Sequence, residues 1–582
     1  MDIKRAVLAI ALSLGVMIAW TTFFAPKQET PPTTAPQATR EEPAAGQKSG
    51  ERVASPRTSP PQAEGGAGDF KPTSTADRQA KVIEVRNRTA VYRFSEVGGR
   101  LVSVRLKGIK ETSASDSPLK ELVRVERADQ APLGLSTLKG SVPGLGTALY
   151  EVQTESQTLD AASEPKTFSF RWVSPNGVEV IKRYRIEPDS YLFQLTVELV
   201  NHGQAPLDDN LGLTISALHE PDEGGSYAFK GFGAYVGGSL EEEEPKSLKK
   251  EAKVFAGRVS WGGYENSYFL QALIPLGNGA DTESSVKGQV AQGQGEGARP
   301  LILARYNSPP FNLPSGQKRV FEFGLYFGPK RIALLNEAGH DLSSSINLGW
   351  FDIIAKPFLY FLNYTNDLVG NFGVAIIILT ILVKIVFWPL TQKSYKSMKS
   401  MQALQPQMAK LKEKFKDDKQ RFNQEMMALY KSRKVNPMGG CLPMIIQIPV
   451  FIALYRLLDY AIELRHAPFF LWIQDLSAPD RLFNFPIESL PLMEPPYGIP
   501  VLTLLMGASM LIQQKMTPTP GDPTQAKIMM LMPIIFTFVF INFPSGLVLY
   551  WLTNNVLSIG QQVMVNKKGS KPKGGGREGK NG

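Results

Sequence analysis

The stretch FGVAIIILTILVKIVFWPL, Phe372 to Leu390, decides the fold of this chain. It is apolar over the ~20 residues that a helix needs to cross a hydrocarbon core. Yet it carries Lys384, with Thr380 one turn earlier on the same helical face. A charge at the centre of a membrane helix costs roughly 2.5–3.5 kcal/mol on insertion scales, so it must reach water or line a polar cavity. Taken alone, Lys384 is accounted for by a stem that snorkels toward the basic flank opening at Lys393. Polar residues in the later apolar runs favour the cavity.

Downstream, Thr391 to Asn436 is dense in bases, among them Lys412, Lys414, Lys416, Lys419 and Arg421, against few acids. The positive-inside rule makes it cytoplasmic. Met398, Met401, Leu404, Met408, Leu411 and Phe415, then Phe422, Met426, Leu429 and Tyr430, recur at helical spacing. That predicts a charged helical hairpin over 391–440, turning near Lys416-Asp417-Asp418. A solvated linker has this composition, and so has a docking arm for a ribosome or a targeting factor. Basic charge attracts RNA without specificity; with no aromatic RNA-binding signature, no specific nucleic acid is expected.

Five apolar runs predict membrane spans at 366–390, 441–461, 498–516, 527–543 and 545–565. Between the second and third, an acidic, aromatic-rich segment suits an exported loop at the membrane interface. The basic Gly-rich tail 566–582, opening with Lys567 and Lys568, is cytoplasmic by its charge.

Upstream, Lys4 and Arg5 precede an apolar run to Phe24 that is longer than a signal-peptide core, so 1–24 reads as an uncleaved signal anchor with its N-terminus inside. Residues 25–76 are rich in Pro, Thr, Ala, Gly and Ser, the composition of a disordered tether. From 77 to 335 the pattern alternates apolar and polar. TAVYRFSEVGGRLVSVRL turns at Gly98-Gly99, and FSFRWVSPNGVEVIKRYRI turns at Pro175-Asn176-Gly177. Many short strands between turns imply an all-β antiparallel sandwich. Residues 336–365 read as a helical region lying in the membrane interface.

The polar residues of the apolar runs are not scattered. Thr380, Lys384 and Gln447 fall in the cytoplasmic halves of their spans, Gln513 near a cytoplasmic end, and Asn554 and Asn555 in the inner half of the last. Together they predict a wet concavity open to the cytoplasm and closed to the exterior. Phe451, Met506, Met510, Met530 and Phe536 offer adaptable apolar surface beside it, as ordinary lipid-facing residues also would.

The 582 residues carry a net charge of +10, one cysteine (Cys441) and four scattered histidines. No intrachain disulfide can form, and no histidine metal site is expected. No phosphate-binding loop, nucleophile motif or paired carboxylates stand out, so no cofactor and no catalysis are expected. Without a visible inverted repeat, a coupled transporter is disfavoured.

DDKQRFNQEMMALYKSRKVNPMGGCLPMIIQIPVFIALY, ELRHAPFFLWIQDLS, KIMMLMPIIFTFVF and FPSGLVLYWLTNN closely resemble the core of the bacterial YidC membrane-protein insertases, specifically over about Trp350 to Val565. The resemblance implies a multi-pass α-helical protein, with a five-span core plus N-terminal anchor and an all-β periplasmic supersandwich. It implies a chaperone and insertase of the inner membrane that takes nascent membrane proteins through a hydrophilic groove, alone or with the Sec translocon. The ribosome and the signal-recognition machinery are the implied partners. The family's charged groove position is an arginine; Lys384 stands there, which keeps the charge without the planar fork. Other groove positions map onto Thr380, Tyr550 and Trp551. The alternative is a transporter or lipid-moving protein using the same cavity. A carbohydrate-active enzyme on a membrane base is a third class, which a carboxylate pair ~5–10 Å apart in a sandwich cleft would mark.

Overall fold

The computed structural model describes residues 79–568 except 115, 126, 222–228, 278–283, 292–298, 417, 434, 436–441, 484, 488–489, 491–492 and 518–522, and without the side chains of 419, 442–445, 523–526 and 566–568. The expected anchor, tether and most of the basic tail lie outside the described residues.

From Val82 to Pro329 the chain is β-rich. The largest sheet has nine strands, with Lys318–Pro329 between Phe269–Leu276 and Leu192–Asn201 near its centre. Two five-stranded sheets and a two-stranded ribbon complete the region. Among the described residues, pairing is antiparallel apart from Val82–Arg86 with Thr158–Asp160. Both turn motifs close hairpins. Gly98 and Gly99 take φ of 66° and 54°, and Gly177 takes 82°, values that glycine adopts without a β-carbon clash.

Alternation builds the core. Tyr92, Phe94, Phe168, Phe170, Tyr184 and Phe193 are buried from facing strands, with Phe94 and Tyr184 ring centres 4.6 Å apart. Lys182 falls on the inward register of its strand and is fully buried. Its Nζ donates to the carbonyls of Gly98, Gly99 and Leu133 at 3.0, 2.7 and 2.7 Å, which replaces lost hydration. Burial still pushes its pKa well below that of a free lysine.

Short helices α1 (Pro245–Lys250) and α2 (Ile332–Ala338) belong to the β-rich region and its exit. The helical part follows as α3 (Asp352–Val369), α4 (Phe372–Lys414), α5 (Lys419–Ser432), α6 (Leu442–Tyr460), α7 (Val501–Met516), α8 (Pro523–Phe540) and α9 (Ser545–Lys568). Gly370, in the left-handed region, ends α3, and the Asn371 side chain accepts from the Val374 amide to start α4. Residues 366–369, expected in the first span, therefore close the preceding helix. α4 is one helix of 43 residues that runs from the apolar stretch into the basic one. The separate first arm expected at 391 is thus its continuation. α5 folds back on it through Leu404, Met408 and Tyr430, and Asp418 caps α5 by accepting from the Arg421 amide. Among the described residues, α4 alone is long and apolar enough to cross a membrane by length and composition, with a mean hydropathy of 2.4 over its best window.

Candidate functional site

From Thr380 to Ser394, α4 is built inside out compared with a helix of a water-soluble protein. Ile385 and Val386 are 61% and 63% exposed, and Ile381 and Leu382 also face outward, while Thr380 and Lys384 are buried. α7 presents Leu504, Leu505 and Ile512 outward; α8 presents Met530, Ile534, Ile535 and Phe538. The interior between α4, α7 and α9 holds Thr391, Ser394, Ser509, Asn555, Ser558, Gln561 and Gln562, all buried. A polar interior under an aliphatic exterior is stable where the surrounding solvent is hydrocarbon.

Lys384 does not snorkel. Its Nζ donates to Ser558 Oγ at 2.5 Å and lies 3.4 Å from Asn554 Oδ1, both on α9. It lines a cleft of about 370 Å³, counting the part open to the outside, with Thr391, Gln447, Asn554 and the apolar walls Val383, Phe387, Leu390, Ile446 and Val450. One turn further toward the basic end, Gln561 Nε2 donates to Thr391 Oγ1 at 2.9 Å. On the other side of α9, Asn555 Nδ2 donates to Ser509 Oγ at 2.9 Å and Gln562 Nε2 to the Met516 carbonyl at 2.8 Å. Asn554, Ser558 and Gln561 thus face α4, and Asn555 and Gln562 face α7. Ser558, Gln561, Gln562, Thr391 and Ser509 escape the sequence reading, although polar residues four and seven apart within an apolar span are a legible signal.

Several expected site residues lie elsewhere. Thr380 is 1% exposed and returns its hydroxyl to the Ile376 carbonyl at 2.6 Å, so it packs rather than lines the cleft. Asn555 is held against α7, and Gln513 is not among the cleft residues. Tyr550 is buried and receives Gln447 Nε2 at 3.3 Å behind the cleft. Trp551 sits in an aromatic cluster, its ring 5.1 Å from Phe451, 6.2 Å from Phe536 and 5.2 Å from Phe540. Met506 is fully buried, because α7 is packed against both α8 and α9; in this arrangement it offers no contact surface. Met510 is half-buried and Met530 is exposed. Lys412, Lys414, Lys416 and Arg421 are exposed around the α4–α5 turn. The side chains of Lys419, Lys567 and Lys568 lie outside the described residues.

The opposite end of the bundle is sealed by the segment between α6 and α7. Asp480 is 2% exposed; its Oδ1 accepts from Trp472 Nε1 at 2.6 Å, and its Oδ2 accepts from the Leu502 and Thr503 amides at the start of α7. A carboxylate there complements the helix dipole. Arg481 donates to the carbonyls of Pro496 and Ile541 and to Asn542 Oδ1, tying the end of α8. The Ser545 and Gly546 amides donate to Ala478 and Leu476 and hold the start of α9. Below this seal Leu454, Leu457, Leu458, Leu547 and Val548 are fully buried.

The same segment grips the β-rich region. Arg465 donates to the carbonyls of Lys110 and Glu111 at 2.8 and 3.0 Å, and its guanidinium lies 5.6 Å from the ring centres of Tyr268 and Phe269. Tyr460, the last residue of α6, accepts from the Phe229 amide at 2.9 Å. Nearby, Lys330 Nζ donates to Glu265 Oε2 at 2.6 Å in a site where both side chains are buried. Glu265 Oε1 has no donor among the described residues, and burial outweighs the ion pair and pushes the carboxyl up to about 7.

An aliphatic exterior, a charged interior cleft and a large β region clasped to one end define an integral membrane protein with a substantial folded domain outside the bilayer. The sequence profile of the 60Kd inner membrane protein family matches residues 364–572, and that of the YidC periplasmic domain matches 82–361. The chain is 41% identical over 577 residues to the membrane protein insertase YidC of Syntrophobacter fumaroxidans, covering 97% of this chain and 99% of that one. It is 40% identical over 578 residues to that of Syntrophus aciditrophicus, with coverage of 97% and 99%. A solved YidC insertase structure with its first transmembrane domain resolved covers 84% of this chain and 94% of its own, at 20% identity and a TM-score of 0.35. The chain belongs to the YidC family of membrane protein insertases. Its clients are accordingly nascent membrane proteins, its medium is the lipid of the inner membrane, and its β-rich domain is periplasmic.

Proposed function

We propose that insertion runs through the cleft at Lys384, with α4, α6, α7, α8 and α9 as the five spans of the core and residues 1–24 as an additional anchor. Both termini and the α4–α5 hairpin then lie in the cytoplasm, where the exposed bases favour docking of the ribosome and the targeting machinery, alone or beside the Sec translocon.

The single observation that carries this reading is the inward-facing ammonium of a helix whose aliphatic face looks outward. Lys384 is twelve residues from the sealed start of α4, about 18 Å of helix rise into a core ~30 Å thick. Polar lining from there to the basic end shortens the apolar distance that a client's hydrophilic segment must cross. Lys384 attracts its acidic residues, and its apolar segment partitions into lipid along the outward faces of the bundle. The membrane potential adds ~2.3 kcal/mol per negative charge per 100 mV on outward transfer.

Photocrosslinkers placed at Phe387 and Gln447 on the cleft, and at Val556 on the outward face of α9, test this against a stalled single-span client. Adducts from the two cleft positions are expected with the hydrophilic segment, and from Val556 with the apolar one. A client that reaches none of the three refutes the route, and transport of a small solute or lipid through the same cleft would favour the transporter reading.

A further inference from the structure

The sealing segment between α6 and α7 displays apolar side chains that its own fold does not cover. Leu471 is 81% exposed, Phe483 66% and Phe470 55%, and Phe485 and Ile487 are also exposed. They form two groups. Phe470 and Leu471 follow Phe469, whose ring lies against Gly373 so closely that a β-carbon there would meet it at 2.0 Å, and whose carbonyl accepts from Asn371 Nδ2 at 3.1 Å. The first group therefore emerges beside the start of α4. The second emerges beside the start of α7, because Leu482 bridges to Ile499 and the Phe485 amide donates to the Tyr497 carbonyl.

Leu471 and Phe483 have φ of 58° and 60°, a conformation that residues with a β-carbon disfavour. The Trp472–Asp480 bond and the Arg481 contacts hold the backbone around these two residues, fixing them where their side chains point away from the protein. Charge does not explain this display. Between 466 and 500 the sequence has a single Arg and no Lys, and that Arg481 is turned inward onto carbonyls, as is the neighbouring Arg465.

We propose that Phe470 and Leu471, with Phe483, Phe485 and Ile487, are two apolar fingers seated in the glycerol and upper acyl zone of the outer leaflet, which fix the depth of the sealed end of the bundle. The occupant follows from position: each finger stands at the level where a helix of the core enters the bilayer, so the surface beside it is lipid. Insertion of this kind is driven by buried apolar area and needs no anionic headgroup. The inference rests on the reading of α4 and α7 as spans.

The test uses the full chain with Cys441→Ser, which removes the one native thiol. Single cysteines at Leu471→Cys and Phe483→Cys carry an environment-sensitive fluorophore in vesicles of phosphatidylcholine alone and with added phosphatidylglycerol. Leu504→Cys on the outward face of α7 is the bilayer reference, and Asp208→Cys on the β-rich domain is the water reference. Blue-shifted emission at 471 and 483, quenched by lipids spin-labelled near the glycerol and protected from aqueous iodide in both vesicle types, is expected. Iodide access without lipid quenching at both positions, while the Leu504 probe stays quenched, overturns the fingers. Quenching that appears only with the anionic lipid overturns their apolar basis. Failure of the Leu504 probe as well overturns the spanning reading itself.

Discussion

Replacing Lys384 by Met separates what the charge costs the fold from what it does for clients. Among the described residues the ammonium has one close partner, Ser558 Oγ at 2.5 Å, and a marginal one in Asn554 Oδ1 at 3.4 Å. A hydrogen bond to a charged group returns about 1.5–3 kcal/mol, against roughly 2.5–3.5 kcal/mol for holding a lysine at bilayer depth. The balance is near zero or unfavourable to the native residue. Lys384→Met fills similar volume, and Ser558 keeps a partner because its hydroxyl donates to the Asn554 carbonyl at 2.7 Å. The variant should therefore unfold in detergent at the same temperature as the native chain or higher, with a gain of at most about 2 kcal/mol. Insertion of a client with an acidic translocated segment into proteoliposomes should fall strongly, and Lys384→Arg should retain it, since the guanidinium keeps the charge and can reach both α9 partners. Two results would refute the reasoning. One is a Met variant several degrees less stable than native; the other is a Met variant that inserts such clients at the native rate.

Two further outcomes concern the periplasmic side. Arg465→Ala removes two charge-assisted bonds to carbonyls and two ring contacts, so about 2–4 kcal/mol of the clasp between the helical core and the β-rich domain should be lost. Limited proteolysis should then cut more readily near residues 330–350, with the fold of each part unchanged by circular dichroism; unchanged cleavage would mean that Arg465 does not bear on the junction. Glu265 is a carboxyl whose native pKa is raised, so its contribution is fully present below pH 4.5 and is lost as pH rises through about 7. The loss amounts to roughly 3 kcal/mol. With the base-catalysed intrinsic rate divided out, the protection of the strand Val259–Glu265 against hydrogen exchange should fall over that window and level off above it, and Glu265→Gln should flatten the profile. A native profile without slope between those limits would contradict the assignment.

What could be read from the sequence follows from which physical signals are local. Period-two alternation is local, and so the hairpins around Gly98-Gly99 and Asn176-Gly177 were legible. The three carbonyls that receive Lys182 are not local, because Gly98, Gly99 and Leu133 lie 49 to 84 positions away in the chain. The apolar stretch of α4 was legible as a span, and Lys384 as its anomaly. Which way that lysine turned was not, since snorkelling and an interior partner give the same sequence; Ser558, 174 positions away, decides it. Thr380 and Met506 are placed away from the cleft for a related reason. Both stand at depths that suit a groove, but a hydroxyl can satisfy itself on its own helix, and a methionine faces client or core according to which helices flank it.

The asymmetry of the bundle bears most directly on mechanism. A pore lined with polar groups from end to end would leak ions, and a bundle packed with aliphatic side chains throughout would offer hydrophilic segments no entry. Here Leu457, Leu458, Leu547 and Val548 close the outer half beneath the Asp480 and Arg481 seal, and polar groups begin at Asn554 and continue to Gln562 toward the basic end. On the proposed route, a client held at Lys384 needs to move its hydrophilic segment through only the outer part of the hydrocarbon, without a continuous aqueous path. The seal ties the Asp480 carboxylate, the Arg481 guanidinium and the carbonyls of Leu476 and Ala478 to three helix ends, so opening it would break many bonds at once. Exit of a client's apolar segment sideways into lipid disturbs none of them, which makes the lateral route the one this architecture favours.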